Sequence, residues 1–326
     1  MEIRCIPTLF GLPEAEKLTE LNRGHINRTF LADCGGERYV LQGLNRSVFP
    51  CSEAVMDNIA VISEAFGKAG DIGVTVPCFI ACGDKTYAVA DEEVWRIYRY
   101  LSATATAADK PAAAGLAFGS FIRVMEGRKL SPAALPKGYH DFGSYYMELT
   151  ALGGRAPRLE ELKKELDAVF TEELPRRMIH GDAKTDNVLI GEALTVIDLD
   201  TVMEGYAAID FGDLVRSVCK NDMSDLSPVR AAAQGFAEGL DGLLTAEEVN
   251  SLYYGILRST GELAVRYLAD SLREEKYFRG KTTEDCIARA EELMTQLEAF
   301  IAARAELTEI ISDSFGSARL AISDLL

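Results

Sequence analysis

The stretch Ile179-His180-Gly181-Asp182-Ala183-Lys184-Thr185-Asp186-Asn187-Val188-Leu189-Ile190, continued by Gly191-Glu192-Ala193 and Leu194-Thr195-Val196-Ile197-Asp198-Leu199-Asp200, decides how the rest of the chain is read. An Asp five residues ahead of an Asn, on a polar loop feeding a short apolar strand, has the spacing of a phosphoryl-transfer loop. In such a loop the carboxylate of Asp182 accepts the proton of an attacking hydroxyl and Asn187 is a metal ligand. Lys184, two residues after the Asp, presents a point charge to the transferred phosphate. The apolar runs 188–190 and 194–197, separated by Gly191-Glu192-Ala193, predict a hairpin. That hairpin returns the chain to its start and sets Asp198 beside Asn187, where a carboxylate suits a hard cation such as Mg2+. For Asp200 three readings stay open: a carboxylate behind the metal ligands, a substrate ligand, or a side chain that orients the turn. His180 is read as a support of the loop rather than an acid–base group. A lone match to this spacing could be a surface turn; the hairpin and the second aspartate set it apart.

A second acidic tripeptide, Asp210-Phe211-Gly212, is the one a motif search would select as the metal site. It follows a Met-Glu-Gly turn and precedes a helical pattern. The expectation is therefore that Asp198 holds the metal, and that Asp210 caps the helix or braces the loop.

The chain has 326 residues, long enough for one two-lobed enzyme or two modest domains. Hydrophobic residues make up 48%, with no apolar run of the roughly 18 residues that a membrane span needs. The first residues lack the basic region and apolar core of a secretory signal. Seven cysteines without paired spacing give no disulfide or zinc framework, so a cytoplasmic location is expected. The formal net charge of −17 argues against nucleic acid as a partner. It also means that an anionic nucleotide needs local positive charge, from Mg2+, Lys184 and Arg28.

Short β-branched and apolar runs at residues 29–31, 38–41, 74–80, 86–89 and 94–100 predict an antiparallel sheet. One helix interrupts it over residues 52–69, where Val55, Ile59, Ile62 and Phe66 recur at helical spacing and Ser52 is the expected N-cap. After Leu101 helical patterns dominate, among them residues 159–174 and 287–301. These patterns predict an α+β fold with a small β-rich lobe, residues 1–101, and a larger, mainly helical lobe, residues 102–326. A nucleotide is expected in the cleft between them, with residues 95–101 as the hinge strand.

The chain resembles the aminoglycoside phosphotransferase and choline kinase superfamily, which has a protein-kinase-like two-lobed fold, and most of all its N-acetylhexosamine 1-kinases. The likeness is carried by Gly24-His25-Ile26-Asn27-Arg28-Thr29-Phe30, by Tyr39-Val40-Leu41-Gln42, by Trp95-Arg96-Ile97-Tyr98-Arg99-Tyr100-Leu101 and by Tyr139-His140-Asp141. Ile197-Asp198-Leu199-Asp200, Ile209-Asp210-Phe211-Gly212-Asp213 and Arg266-Tyr267-Leu268-Ala269-Asp270 extend it toward the C-terminus. It implies an ATP- and Mg2+-dependent kinase that phosphorylates the anomeric hydroxyl of an N-acetylhexosamine. It further implies nucleotide contacts from Gly24, Asn27, Thr29, Gln42 and the hinge residue Arg99, and acceptor contacts from His140, Asp141, Arg266 and Asp200. An ordinary hairpin turn accounts equally for Gly24 and Asn27, and an ion pair with Asp270 at i, i+4 for Arg266. Gln42 departs from kinases at large, which carry a lysine on this strand; an amide donates hydrogen bonds but brings no charge. An aminoglycoside- or other small-alcohol kinase is the alternative acceptor class, and a non-catalytic nucleotide-binding protein the alternative of a different kind. The sequence leaves the oligomeric state, the acceptor and the number of metal ions open.

Overall fold

A computed structural model describes residues 1–21, 26–102, 110–219, 223–278 and 280–316. Five strands, β1 (Lys17–Glu20), β2 (Arg28–Cys34), β3 (Glu37–Gly43), β5 (Ala88–Ala90) and β6 (Glu93–Arg99), form an antiparallel sheet in the order β1-β2-β3-β6-β5. Alternation of side chains gives this sheet two faces. One carries Phe30, Ala32, Leu41, Trp95 and Ile97, which pack with Ile6 and Phe10 of the 3-10 helix Ile3–Phe10 into a small core. The other carries Thr29, Gln42 and Arg96, aligned by the register Thr29↔Gln42↔Arg96.

Helix α1 (Ser52–Ala69) has the predicted bounds, with Val55, Ile59, Ile62 and Phe66 buried. Ser52 is not its N-cap. That position is Cys51, and the Ser52 hydroxyl lies inside the first turn, donating to Phe49 O at 2.7 Å. The run 74–80 also departs from expectation. Its start, β4 (Val74–Thr75), pairs in parallel with the second strand of the 188–196 hairpin, and only its end meets the five-stranded sheet, where Phe79 bridges Tyr98 and Ile80 N donates to Ile97 O at 2.9 Å.

The remainder is mainly helical: α2 (Lys110–Val124), α3 (Phe142–Ala151), α4 (Pro157–Asp167), α5 (Ala207–Cys219), α6 (Ser227–Leu240), α7 (Ala246–Leu272), α8 (Thr283–Ala302) and α9 (Arg304–Ser314). The pattern at 159–174 becomes a helix only as far as Asp167. Three short strand pairs lie among these helices: β7 (Arg177–Ile179) with β10 (Met203–Gly205), and β8 (Val188–Ile190) with β9 (Leu194–Val196), the latter also bound to β4. Helices α2 and α6 approach closely through Gly115 and Gly119 on one and Gly235 and Gly239 on the other. A methyl at Gly115 would stand 2.1 Å from Ala232 O. One large core runs from α1 through α2, α5 and α7, and continues across residue 101. No helix among the described residues is long and apolar enough to cross a membrane.

Candidate active site

The loop between β7 and β8 is held from below by buried polar groups that bond its backbone. Asp210, fully buried in the first turn of α5, accepts from His180 N at 2.7 Å and from Gly181 N at 2.8 Å, one amide on each oxygen. Of the two roles predicted for it, bracing is the one seen. Burial pushes its carboxyl up to about 7, against the pull of those two amides. His180 is buried against Phe118 and Phe121; its Nε2 lies 2.9 Å from Ile197 O, and its Nδ1 accepts from Asp182 N. Burial lowers its pKa, so the ring is a neutral support. Gly181 has φ +75° and a Cβ there would meet Thr201 O at 2.5 Å, so both conformation and space require glycine.

The upper side of the same loop is open. Asp182 Oδ2 accepts from Lys184 Nζ at 2.5 Å and Asn187 Nδ2 at 3.0 Å, while no described donor reaches Oδ1. Burial works against its charge, but Lys184 and Asn187 hold the Asp182 carboxyl below the usual range. The predicted hairpin forms, and Ile197 N donates to Asn187 O at 2.9 Å, which closes it. Asp198 follows in the left-handed region with φ 65° and an exposed side chain that has no hydrogen-bond partner among the described residues. The surrounding protein and then the charges of Asp200 and Asp182 push its carboxyl up to about 6. Asn187 Nδ2 also donates to Asp182 O at 2.8 Å, leaving its Oδ1 as the free end of the amide. Asn187 and Asp198 thus offer hard oxygen donors, few in number, which suits Mg2+ completed by phosphate oxygens and water.

Several predicted site residues are engaged otherwise. Asp200 is buried in a bidentate pair with Arg96, and Asn27 Nδ2 donates to its Oδ2 at 2.6 Å. Both of its oxygens are thus held by protein donors. Asn27 is further fixed by Asn45 N, and Thr29 Oγ1 accepts from Gln42 Nε2 at 3.2 Å. Arg99 is opposite Tyr39 and pairs with Glu37, on the sheet face away from Gln42. Arg28 pairs with Glu93. Gly24 lies outside the described residues. His140 bonds through both nitrogens, to Glu262 Oε1 at 2.8 Å and Gly181 O at 2.7 Å, and Asp141 caps α3 by accepting from Ser144 N. Both therefore support the architecture instead of facing an acceptor.

Sequence reasoning missed Arg96, which reaches Gln42 Oε1 at 2.9 Å and places a buried cation on the strand next to the one that lacks the usual lysine. An arginine inside Trp95-Arg96-Ile97-Tyr98 was the available signal, since a guanidinium in an apolar strand requires a buried acid. Glu262 was missed too; nothing in its helical surroundings marks it.

Beside Asp182, Tyr139 donates its hydroxyl to Gly181 O at 3.1 Å and forms one wall of a cavity of about 160 Å³. One water needs only ~10–15 Å³ on that measure, so there is room for a small organic molecule. Arg266 also lines it.

Residues 17–244 match the family described as the phosphotransferase enzyme family, well over half of the chain. The chain belongs to that family. It is a phosphotransferase, and its α+β architecture is the kinase-like fold of solved structures that it resembles. An aminoglycoside phosphotransferase from Alicyclobacillus acidocaldarius superposes with a TM-score of 0.67 at 13% identity, over 96% of this chain and 97% of that one. A microcompartment-associated aminopropanol kinase gives 0.65 at 15% identity, over 94% and 97%. The amicoumacin kinase hAmiN, solved with AMP-PNP and Ca2+, gives 0.65 at 11% identity, over 92% and 94%.

Proposed function

We propose that this phosphotransferase moves the γ-phosphoryl group of ATP to a hydroxyl of a small polyhydroxylated acceptor, and that the acceptor is an N-acetylhexosamine phosphorylated at its anomeric hydroxyl. The observation that carries the transfer reaction is the split state of Asp182: one carboxylate oxygen is locked by Lys184 and Asn187, the other has no donor among the described residues, and the adjoining Gly181 is bonded by Tyr139, a wall of the cavity. In this reading Asp182 Oδ1 orients the acceptor hydroxyl and takes its proton, and Lys184 faces the transferred phosphoryl oxygens. Asn187 and Asp198 would hold Mg2+, which neutralises phosphate charge when bound. Residues 1–101 contribute the nucleotide side of the cleft and residues 102–326 the acceptor side.

Support for the sugar comes from the likeness of Tyr39-Val40-Leu41-Gln42 and of Arg266-Tyr267-Leu268-Ala269-Asp270 to the sugar 1-kinases, and from the aromatic cavity, whose rings suit a pyranose. The absent β3 lysine favours a binding-only protein; against that reading stand Asp182, Asn187 and Asp198, since a module that only binds gains little from a base and two metal ligands. The test is ATP turnover on a panel of sugars, amino alcohols and aminoglycosides with Mg2+. A sugar 1-phosphate, recognised by phosphorus–C1 coupling in NMR, is the expected product. A 6-phosphate, or turnover confined to another alcohol, would replace the acceptor assignment and keep the transfer reaction. No turnover with any acceptor would remove the reaction itself.

A further inference from the structure

The cavity walled by Tyr139, whose hydroxyl bonds the carbonyl of Gly181 next to Asp182, has an unusual charge state for so acidic a protein. Three cations line it, Lys137, Arg266 and Arg273, against a single carboxylate, Glu148. Glu148 is already paired with Arg273. The guanidinium of Arg266 instead sits among four rings, with its carbon 5.7 Å from the centre of Tyr139, 5.2 Å from Tyr145, 5.4 Å from Tyr277 and 5.6 Å from Phe278. No described carboxylate pairs with it.

The two acids on its own helix that could pair with it are held elsewhere. Glu262, one turn before Arg266 on α7, gives Oε1 to His140, and its other oxygen is buried without any hydrogen-bond partner. Asp270, one turn after, accepts from the amides of Tyr277 and Phe278 and lies 3.6 Å from Arg273. The i, i+4 ion pair with Asp270 anticipated from the sequence is therefore not formed. Arg266 keeps its forked donors for the cavity, and Lys137 adds a second unpaired cation at the exposed rim. Ring faces satisfy part of a guanidinium's charge but none of its N–H groups.

We propose that this cavity binds the acceptor through an anionic oxygen group, a carboxylate or a phosphate, which Arg266 grips from below and Lys137 attracts from the rim. This deepens the reading above and rests on it only for the statement that the bound molecule is the acceptor. The acceptor class narrows to an N-acetylhexosamine that itself carries an acid group, with its anomeric hydroxyl free for transfer and its negative charge elsewhere on the ring. Polycationic acceptors are disfavoured by the same two charges. A bidentate guanidinium–oxyanion contact has the geometry for this task, and two facing cations would overcome the repulsion that a net charge of −17 exerts on an anion at a distance.

The test measures binding and turnover separately on the full chain. Binding of glucuronic acid, N-acetylglucosamine 6-phosphate, N-acetylglucosamine and glucosamine is measured by calorimetry with Mg2+ and a non-hydrolysable ATP analogue present. The two acids should bind ~10-fold or more tightly than the neutral sugar, as one charge-assisted contact predicts, and glucosamine most weakly. The preference should shrink as salt rises from ~0.05 to ~0.5 M. Whichever acid binds better identifies carboxylate or phosphate as the source of the charge. Arg266→Gln should erase most of the acid preference and Arg266→Lys restore part of it. Lys137→Gln, at an exposed position where folding is not at risk, should reduce it ~3-fold, in keeping with a solvent-screened charge. Equal binding of acidic and neutral sugars, failure of both acids to bind, or an acid preference untouched by Arg266→Gln and Lys137→Gln would each overturn the proposal. Acid-selective binding without phosphorylation of any sugar would instead overturn the function proposed above and leave the anion site standing. Phosphorylation of neutral and acidic sugars at equal efficiency would do the reverse.

Discussion

The two sides of the Asp182 loop are built on opposite principles. On the side facing α5 and α7 the groups are engaged with the loop, though Glu262 leaves one oxygen without a partner: Asp210 holds two amides, His180 binds Ile197 O, and His140 with Glu262 clamps Gly181 O. On the opposite side, Asp182 Oδ1, Asn187 Oδ1 and the carboxylate of Asp198 have no donor among the described residues. Asp198 and Asp210 make the contrast sharpest, since both are aspartates with raised pKa and only one has its oxygens occupied. A reacting group is useful only if it is free and yet fixed, and the protein divides these demands between the two faces.

The contrast can be broken first where the effect is largest. Asp198→Ala should abolish Mg2+-dependent turnover, and Asp182→Asn should lower kcat by ~10²–10⁴ while Mg-ATP binding persists, the range for a lost general base. Circular dichroism should show both variants folded. Near-native turnover in either one would remove that residue from its role.

Asp210→Ala tests the opposite face. It leaves two buried amides without an acceptor, a cost of about 2–4 kcal/mol in a urea melt. If Asp210 instead held metal, turnover would vanish in a protein of unchanged stability.

A third experiment uses pH. Despite burial, Glu262 and its hydrogen bond raise His140 from 6.5 to about 9, so the charged pair is favoured in the folded state. Its contribution is fully present below pH 6.5 and declines as the pH rises through about 9. The stability difference between wild type and His140→Gln should therefore shrink by on the order of 2 kcal/mol between neutral and strongly alkaline pH. A difference that stays constant over that range would mean that the pair is not ionised.

The smallest effect is expected at Asp141, whose only assigned task is to cap α3. Asp141→Ala should cost ~1 kcal/mol of stability with kcat/KM unchanged. A selective rise in acceptor KM would return it to the acceptor site.

What was legible in the sequence was local. The hairpin that carries Asp198 to Asn187 followed from two short apolar runs and a three-residue turn, and α1 followed from four residues at helical spacing. What escaped was contact between distant parts of the chain. The bonds from Arg96 to Asp200, from Asn27 to Asp200 and from His140 to Glu262 span 104, 173 and 122 residues. No periodicity encodes such pairs, so the acceptor contacts that the resemblance implied for Asp200 and His140 fall on side chains whose polar atoms are already engaged. Arg99 was misplaced for a simpler reason: it stands three residues from Arg96 on a strand of period two, hence on the other face. The 74–80 run has strand composition throughout, but it divides: Phe79 and Ile80 meet β6, while the partner of Val74 and Thr75 is β9, more than a hundred residues further along.

The parallel pairing of β4 with β9, together with α1 inside the large core, bears on how such a protein can be taken apart. Its N-terminal third leaves the sheet after β3, contributes α1 and β4 to the helical body, and returns for β5 and β6. The two bodies are interleaved along the chain and joined by several crossings. Transplanting residues 1–101 as a nucleotide-binding cassette would remove α1 from the core that supports the catalytic hairpin. Exchange of specificity between relatives of this architecture should proceed by changing side chains in the cavity, because the covalent path offers no clean place to cut.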